Sequence, residues 1–130
     1  MPKDDTLAVE WYRRAAVQGL AVAQTNLGVR YASGSGVGRS QEEAASWFRK
    51  AAEQGDATAQ FNIGVMYANG TGVRQDVVEA FRWLSLAASQ SSGSEQQRYA
   101  AARDALAAHM TAAQIAEARS RATRSAPPAR

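Results

Sequence analysis

His109 is the single histidine among 130 residues. Imidazole acid–base chemistry, or a Ser-His-Asp arrangement, would have only that group to use. It stands at the expected C-terminal end of a helix, where an imidazole interacts favourably with the helix dipole, and we assign it that role. Metal sites need clustered ligands, and one histidine, scattered carboxylates and no cysteine do not supply them. Glu42 and Glu43 are adjacent, so on a helix their side chains diverge. They read as a first-turn dipole partner and a capping residue, not as a general-acid pair. The run Gly34-Ser35-Gly36-Val37-Gly38 has a phosphate-loop composition, but such a loop follows a strand, and here a helix precedes it. No enzymatic activity, metal or cofactor is expected.

Residues suited to recognition are more numerous. Arg13, Arg14, Arg49, Lys50 and Arg82 fall on the polar face of three similar helices. Arg13 is equivalent to Arg49, and Arg14 to Lys50, at a spacing of 36 residues. Such a basic row suits an acidic or carboxylate-ended peptide. The competing reading is a solvated face, because Glu10 precedes Arg13 and Arg14 at helix-supporting spacing. Ser85 and Leu86 interrupt the row in the third helix. Asn26 and Asn62 recur at one helical position, either tying down neighbouring backbone or binding a partner. Trp11, Trp47 and Trp83 are 36 apart and on an apolar face, so they are expected in the core.

These residues are positioned by an internal repeat. Ala59–Val73, AQFNIGVMYANGTGV, repeats Ala23–Val37, AQTNLGVRYASGSGV, with ten of fifteen positions identical. Ala8–Gly19, Ala44–Gly55 and Ala80–Ser91 share a second pattern in the same register, including Gln18, Gln54 and Gln90. A period of this length marks stacked repeats. Each unit reads as a helix, a turn at Gly19 or Gly55, a second helix and a glycine-rich connector.

The spacing predicts helices over about 6–18, 21–33, 41–54, 57–69, 77–89, 95–109 and 112–123. Asp4 or Asp5 is expected to cap the first, and Leu20 is a poor cap for the second. Asp56 is expected to cap the fourth. Capping boxes are expected at Ser40/Glu43, Asp76/Glu79, Ser94/Gln97 and Thr111/Gln114. Gly28 and Gly64 lie mid-helix, where glycine costs about 1 kcal/mol relative to alanine. They are expected where helices cross too closely for a Cβ, and Ala100 at the third such position implies a wider crossing. The basic tail, 124–130, is expected to be disordered.

Composition narrows the classes further. The net charge of +3 comes from Arg119, Arg121, Arg124 and Arg130; Met1–Ala118 carries 11 basic and 12 acidic residues. The body therefore has no electrostatic footprint for nucleic acid. No apolar run approaches the ~20 residues of a membrane span. Met1-Pro2-Lys3-Asp4-Asp5 shows no apolar signal-peptide segment, so a cytoplasmic location is the default expectation.

The pattern A-x-x-W-[YF]-x-[KR]-A-A-x-Q-G followed by A-Q-x-N-[LI]-G-x-x-Y-A-x-G-x-G-V, which includes Tyr31 and Tyr67, resembles the Sel-one-like repeat, a relative of the tetratricopeptide repeat. It covers repeats at about 5–40 and 41–76 and a divergent third unit, 77–109. Residues 112–123 resemble the helix that closes bacterial arrays of this family. The resemblance implies an all-α right-handed superhelix, a solenoid of helical hairpins over 1–123. It also implies a non-catalytic adaptor that binds a protein or peptide on the concave face formed by the first helix of each unit. The alternative is a cell-envelope accessory domain that binds peptidoglycan or polysaccharide-processing machinery. The first helix has no helical neighbour on its N-terminal side in this register, so self-association through that unit is a further expectation.

Overall fold

The computed structural model describes residues 2–125, side chains from residue 5 to residue 121. Seven helices follow one another: α1 Pro2–Val17, α2 Ala21–Ser33, α3 Gln41–Glu53, α4 Ala57–Asn69, α5 Val77–Ser89, α6 Gly93–Ala107 and α7 Ala112–Ser125. No strand occurs among the described residues. Each of α1 to α6 packs against its neighbours in the chain, while α7 packs against α5. The fold is an all-α helical-repeat solenoid.

Local chemistry sets the boundaries. Ser40 Oγ accepts from the Glu43 amide at 3.1 Å, Asp56 from the Ala59 amide at 3.0 Å, and Asp76 from the Val78 and Glu79 amides at 3.1 Å. At α7 the box is reciprocal: Gln114 N donates to Thr111 Oγ1 at 3.1 Å, and Thr111 N donates to Gln114 Oε1 at 2.9 Å. Leu20 offers α2 no side-chain cap. Gly34 and Gly70 end α2 and α4 in the left-handed conformation, φ 75° and 70°, which glycine adopts without strain.

Three expected boundaries are corrected. α1 begins at Pro2, not Thr6, so Asp4 and Asp5 lie inside it and not at its N-cap. Proline suits a first helical position, and Asp5 instead pairs with Arg30 of α2 at 2.9 Å. α6 begins at Gly93 after Ser92, which makes no side-chain cap bond; Ser94 is inside the helix, and the Ser94/Gln97 box does not form. His109 falls in the turn after α6. α7 runs to Ser125, past the expected end at Thr123; 126–130 lie outside the described residues.

Alanines and a few large side chains make the core. Leu27, Ile63, Ala44, Ala51 and Ala59 are fully buried, and Val9, Phe48, Met66 and Trp83 join them in one cluster. Ala87, Ala88 and Tyr99 form a second cluster towards α6. The crossings are as close as the mid-helix glycines suggest. A Cβ on Gly28 would lie 2.7 Å from the Phe48 ring, and one on Gly64 would lie 3.0 Å from Leu84 Cγ.

The tryptophans do not share one environment. Trp83 is buried, Trp47 is half-buried, and Trp11 is 69% exposed. The expected core position of Trp11 is therefore corrected. Trp83 belongs to the cluster built by α1 to α4, and Trp47 packs against the same cluster. Trp11 holds the same register, but among the described residues α1 packs closely against α2 alone, whereas α3 and α5 pack against helices on both sides.

Candidate functional site

The repeat places two cations per unit on its first helix, and aromatic rings decide where they go. Arg13 of α1 lies over the Tyr31 ring of α2, 5.8 Å from the centroid. Arg49 of α3 lies over Tyr67 of α4 at 5.5 Å and donates a hydrogen bond to its hydroxyl. One turn away, Arg14 is 5.9 Å from the Trp11 centroid and Lys50 4.5 Å from that of Trp47. Such stacking holds a cation against the face of a ring. Burial pushes the Tyr67 phenol up, more than the Arg49 charge lowers it, so the ring stays neutral beneath its arginine. Among the described residues Glu10 forms no ion pair with Arg13 or Arg14.

Arg82 does not extend this row. It lies over Trp83 at 4.2 Å and pairs with Glu79 at 2.9 Å, its side chain only 12% exposed. Arg121 of α7 reaches the same carboxylate at 3.0 Å. Burial alone would raise the Glu79 pKa; the hydrogen bonds from Arg82 and Arg121 outweigh it and hold the group below its ordinary value. This cluster is a clasp between α5 and α7. In the third unit Ser85 takes the place of Arg13 and Arg49, and Arg103 the place of Tyr31 and Tyr67. Both line a cavity of about 400 Å³ between α5, α6 and α7, with Phe81, Ile115 and Arg119.

A second concavity is apolar. Phe48 of α3 floors a groove of about 450 Å³, walled by Val29 and Ala32 of α2 and by Phe61, Asn62 and Val65 of α4. Asn62 and its equivalent Asn26 are half-buried. Among the described residues neither side chain makes a hydrogen bond, so neither ties down a neighbouring loop.

Glutamines carry that tying role instead. Gln24 Nε2 donates to the Ala16 carbonyl at 3.1 Å, and Gln60 Nε2 to the Ala52 carbonyl at 3.2 Å. Each then accepts from the following unit: Gln54 Nε2 donates to Gln24 Oε1 at 2.9 Å, and Gln90 Nε2 to Gln60 Oε1 at 3.1 Å. Gln24 and Gln60 are buried. The recurrence of Ala-Gln in both copies, and of Gln54 and Gln90, was the available signal for this ladder. No group of three or more His, Cys, Asp or Glu that could hold a metal occurs among the described residues, and no described helix is long and apolar enough to cross a membrane.

The Sel1 repeat profile matches residues 1–20, 21–56 and 57–92. No curated protein matches the chain. Among solved structures, the chain is similar to c5321, a protective antigen of uropathogenic Escherichia coli strains displaying an SLR fold. The TM-score is 0.85 and the identity 36%, over 92% of this chain and 25% of that one. It is also similar to a Sel1 repeat protein from Oxalobacter formigenes, with a TM-score of 0.66 and 40% identity, over 67% of this chain and 36% of that one. The chain thus spans about a quarter and a third of these two relatives' lengths. Sel1 repeat proteins generally mediate protein–protein interaction, and the fold is typically non-catalytic. With two units interlocked by glutamine and glycine in one register, and with the profile covering residues 1–92, this chain belongs to the Sel1 repeat family.

Proposed function

We propose that this chain is a non-catalytic adaptor that seats a segment of a partner protein in the groove between α2 and α4. The observation that carries this reading is the combination within that groove. An apolar floor and walls at Phe48, Val29 and Val65 sit beside an Asn62 amide that makes no hydrogen bond among the described residues. Recognition sites of this kind combine mostly apolar lining with a few polar groups that fix orientation. A side-chain amide can both donate to and accept from the backbone of an extended segment, and Asn26 repeats that chemistry one unit earlier.

The cations on the first helices supply the second element. Arg13 and Arg49, in one register, lie over Tyr31 and Tyr67, and Lys50 lies over Trp47. None of these cations lines the groove itself, so a partner that also carries an acidic stretch or a terminal carboxylate would gain from them a second contact outside it. Charge of this kind raises association rate and selectivity more than raw affinity.

Selection from a random peptide library tests the reading. Enriched peptides are expected to carry an apolar anchor with flanking acids. Val65→Asp should abolish their binding, and Arg49→Glu with Lys50→Glu should weaken it by roughly tenfold while increasing its salt dependence. Enriched peptides that bind equally well to the Val65→Asp variant would overturn it.

A further inference from the structure

The outer face of α1 differs from its counterparts in a way that the repeat alone does not explain. Leu7, Glu10, Trp11, Arg14 and Val17 recur at helical spacing and form one stripe. All five are exposed, with Leu7 at 53% and both Trp11 and Val17 at 69%. In the second unit the same stripe is Glu43, Ser46, Trp47, Lys50 and Glu53, and in the third it is Glu79, Arg82, Trp83, Leu86 and Ser89. The two apolar ends, Leu7 and Val17, belong to the first unit alone.

A preceding repeat would not account for them. Glu43, Ser46, Lys50 and Glu53 are exposed although a complete unit is packed ahead of α3. By that register a unit like the first would leave positions 7 and 17 in water, whereas in the third unit, where α7 packs on α5, Glu79, Arg82 and Leu86 are half-buried and Trp83 is buried. The occupant must cover the whole stripe.

The stripe is its own complement. Turned end for end about Tyr12, Leu7 meets Val17 and Glu10 meets Arg14, and the two-fold axis makes each of those pairs twice. Trp11 lies beside the axis, and neither Glu10 nor Arg14 is engaged by an ion pair among the described residues. We infer that α1 is the contact of a two-fold homodimer, packed antiparallel against the α1 of a second copy. Such isologous contacts need one self-complementary patch. Opposite charges flanking an apolar centre set register and suppress other partners. Arg14 then serves the dimer, and the groove between α2 and α4 remains open without it.

Sedimentation of the whole chain at concentrations from about 1 μM to 1 mM, the range for a modest interface, tests this. The expected result is reversible conversion from 13.9 kDa to twice that mass, with Trp11 emission shifting to the blue as the dimer forms. Glu10→Arg alone and Arg14→Glu alone should each weaken association by about tenfold or more, because each sets like charges opposite one another. The double variant should restore it, since the exchanged pair is again complementary. Leu7→Glu should leave a monomer with unchanged helicity. A monomer throughout the range, or a dimer indifferent to both single charge reversals, would overturn the inference.

Discussion

Gln54 donates its side-chain amide to Gln24 at 2.9 Å across the boundary between the first two units. Gln24 in turn donates to the Ala16 carbonyl. One buried amide therefore joins the end of α1, the start of α2 and the end of α3, and Gln60 does the same one unit later. The step between hairpins is fixed by polar geometry as well as by packing, because an amide displaced from either partner would be buried without a hydrogen bond.

Gln60→Ala leaves the buried Ala52 carbonyl without its donor and takes away the acceptor of the exposed Gln90 amide. The expected cost is about 1–3 kcal/mol, read as a lower urea midpoint. Gln96 holds the same register in α6 but makes no side-chain hydrogen bond among the described residues, so Gln96→Ala should change stability by less than about 0.5 kcal/mol. Equal effects at the two positions would count against the ladder.

Gly28→Ala and Gly64→Leu test the close crossings. Alanine adds helix propensity worth about 1 kcal/mol, but its Cβ at Gly28 would meet the Phe48 ring at 2.7 Å. Leucine at Gly64 must displace Leu84. Overpacking of this kind costs about 1–3 kcal/mol, at times more, so the Gly64→Leu melt should fall by several degrees. A melt unchanged from the parent would remove the packing argument.

The three tryptophans should separate by substitution. Trp83→Ala removes a buried ring and should cost about 3–5 kcal/mol. Trp83→Phe should cost far less, because the indole N–H is buried without a hydrogen-bond partner among the described residues. Trp11→Ala, measured in dilute solution, should stay within about 0.5 kcal/mol of the parent. Acrylamide quenching of single-tryptophan variants gives the same order, with Trp11 the most accessible.

Acid should loosen α7 through Glu79. Its folded pKa lies below the ordinary 4.5, so the stabilisation is present above that value and is lost as pH falls through the lower folded value. Amide exchange in α7 should accelerate at low pH before exchange in α2 or α4 does. Glu79→Gln should show fast α7 exchange already at neutral pH and little further change on acidification. An α7 that keeps its protection in that variant would show that the clasp does not hold it.

Much of this was readable from residues alone, for identifiable reasons. Helix existence followed from the 36-residue register, and α2 and α4 matched to the residue because Gly34, Gly70 and Asp56 act locally. The start of α6 is not legible locally, because Ser92 and Ser94 both look like caps and nothing local chooses between them. Asp5 looks like a cap in sequence because its partner, Arg30, lies 25 residues away. Repetition implies a core position for Trp11 because it implies equal environments, whereas burial depends on what stands next to a unit. The basic row was legible as a register but not as a surface: rings hold Arg13 and Arg49, while the Glu79 clasp takes Arg82 out of it. The groove could not be read at all, since it arises where helices two apart in the chain diverge over Phe48.

The most direct measurement is a double-mutant cycle on Gln24→Ala and Gln54→Ala by urea unfolding, because every surface described depends on units stacked in one register. The account predicts that the two changes couple by about 0.5–3 kcal/mol, the double variant being more stable than the sum of the singles implies. Effects that add to within about 0.3 kcal/mol would mean that the amides do not meet, and would contradict the stacked register.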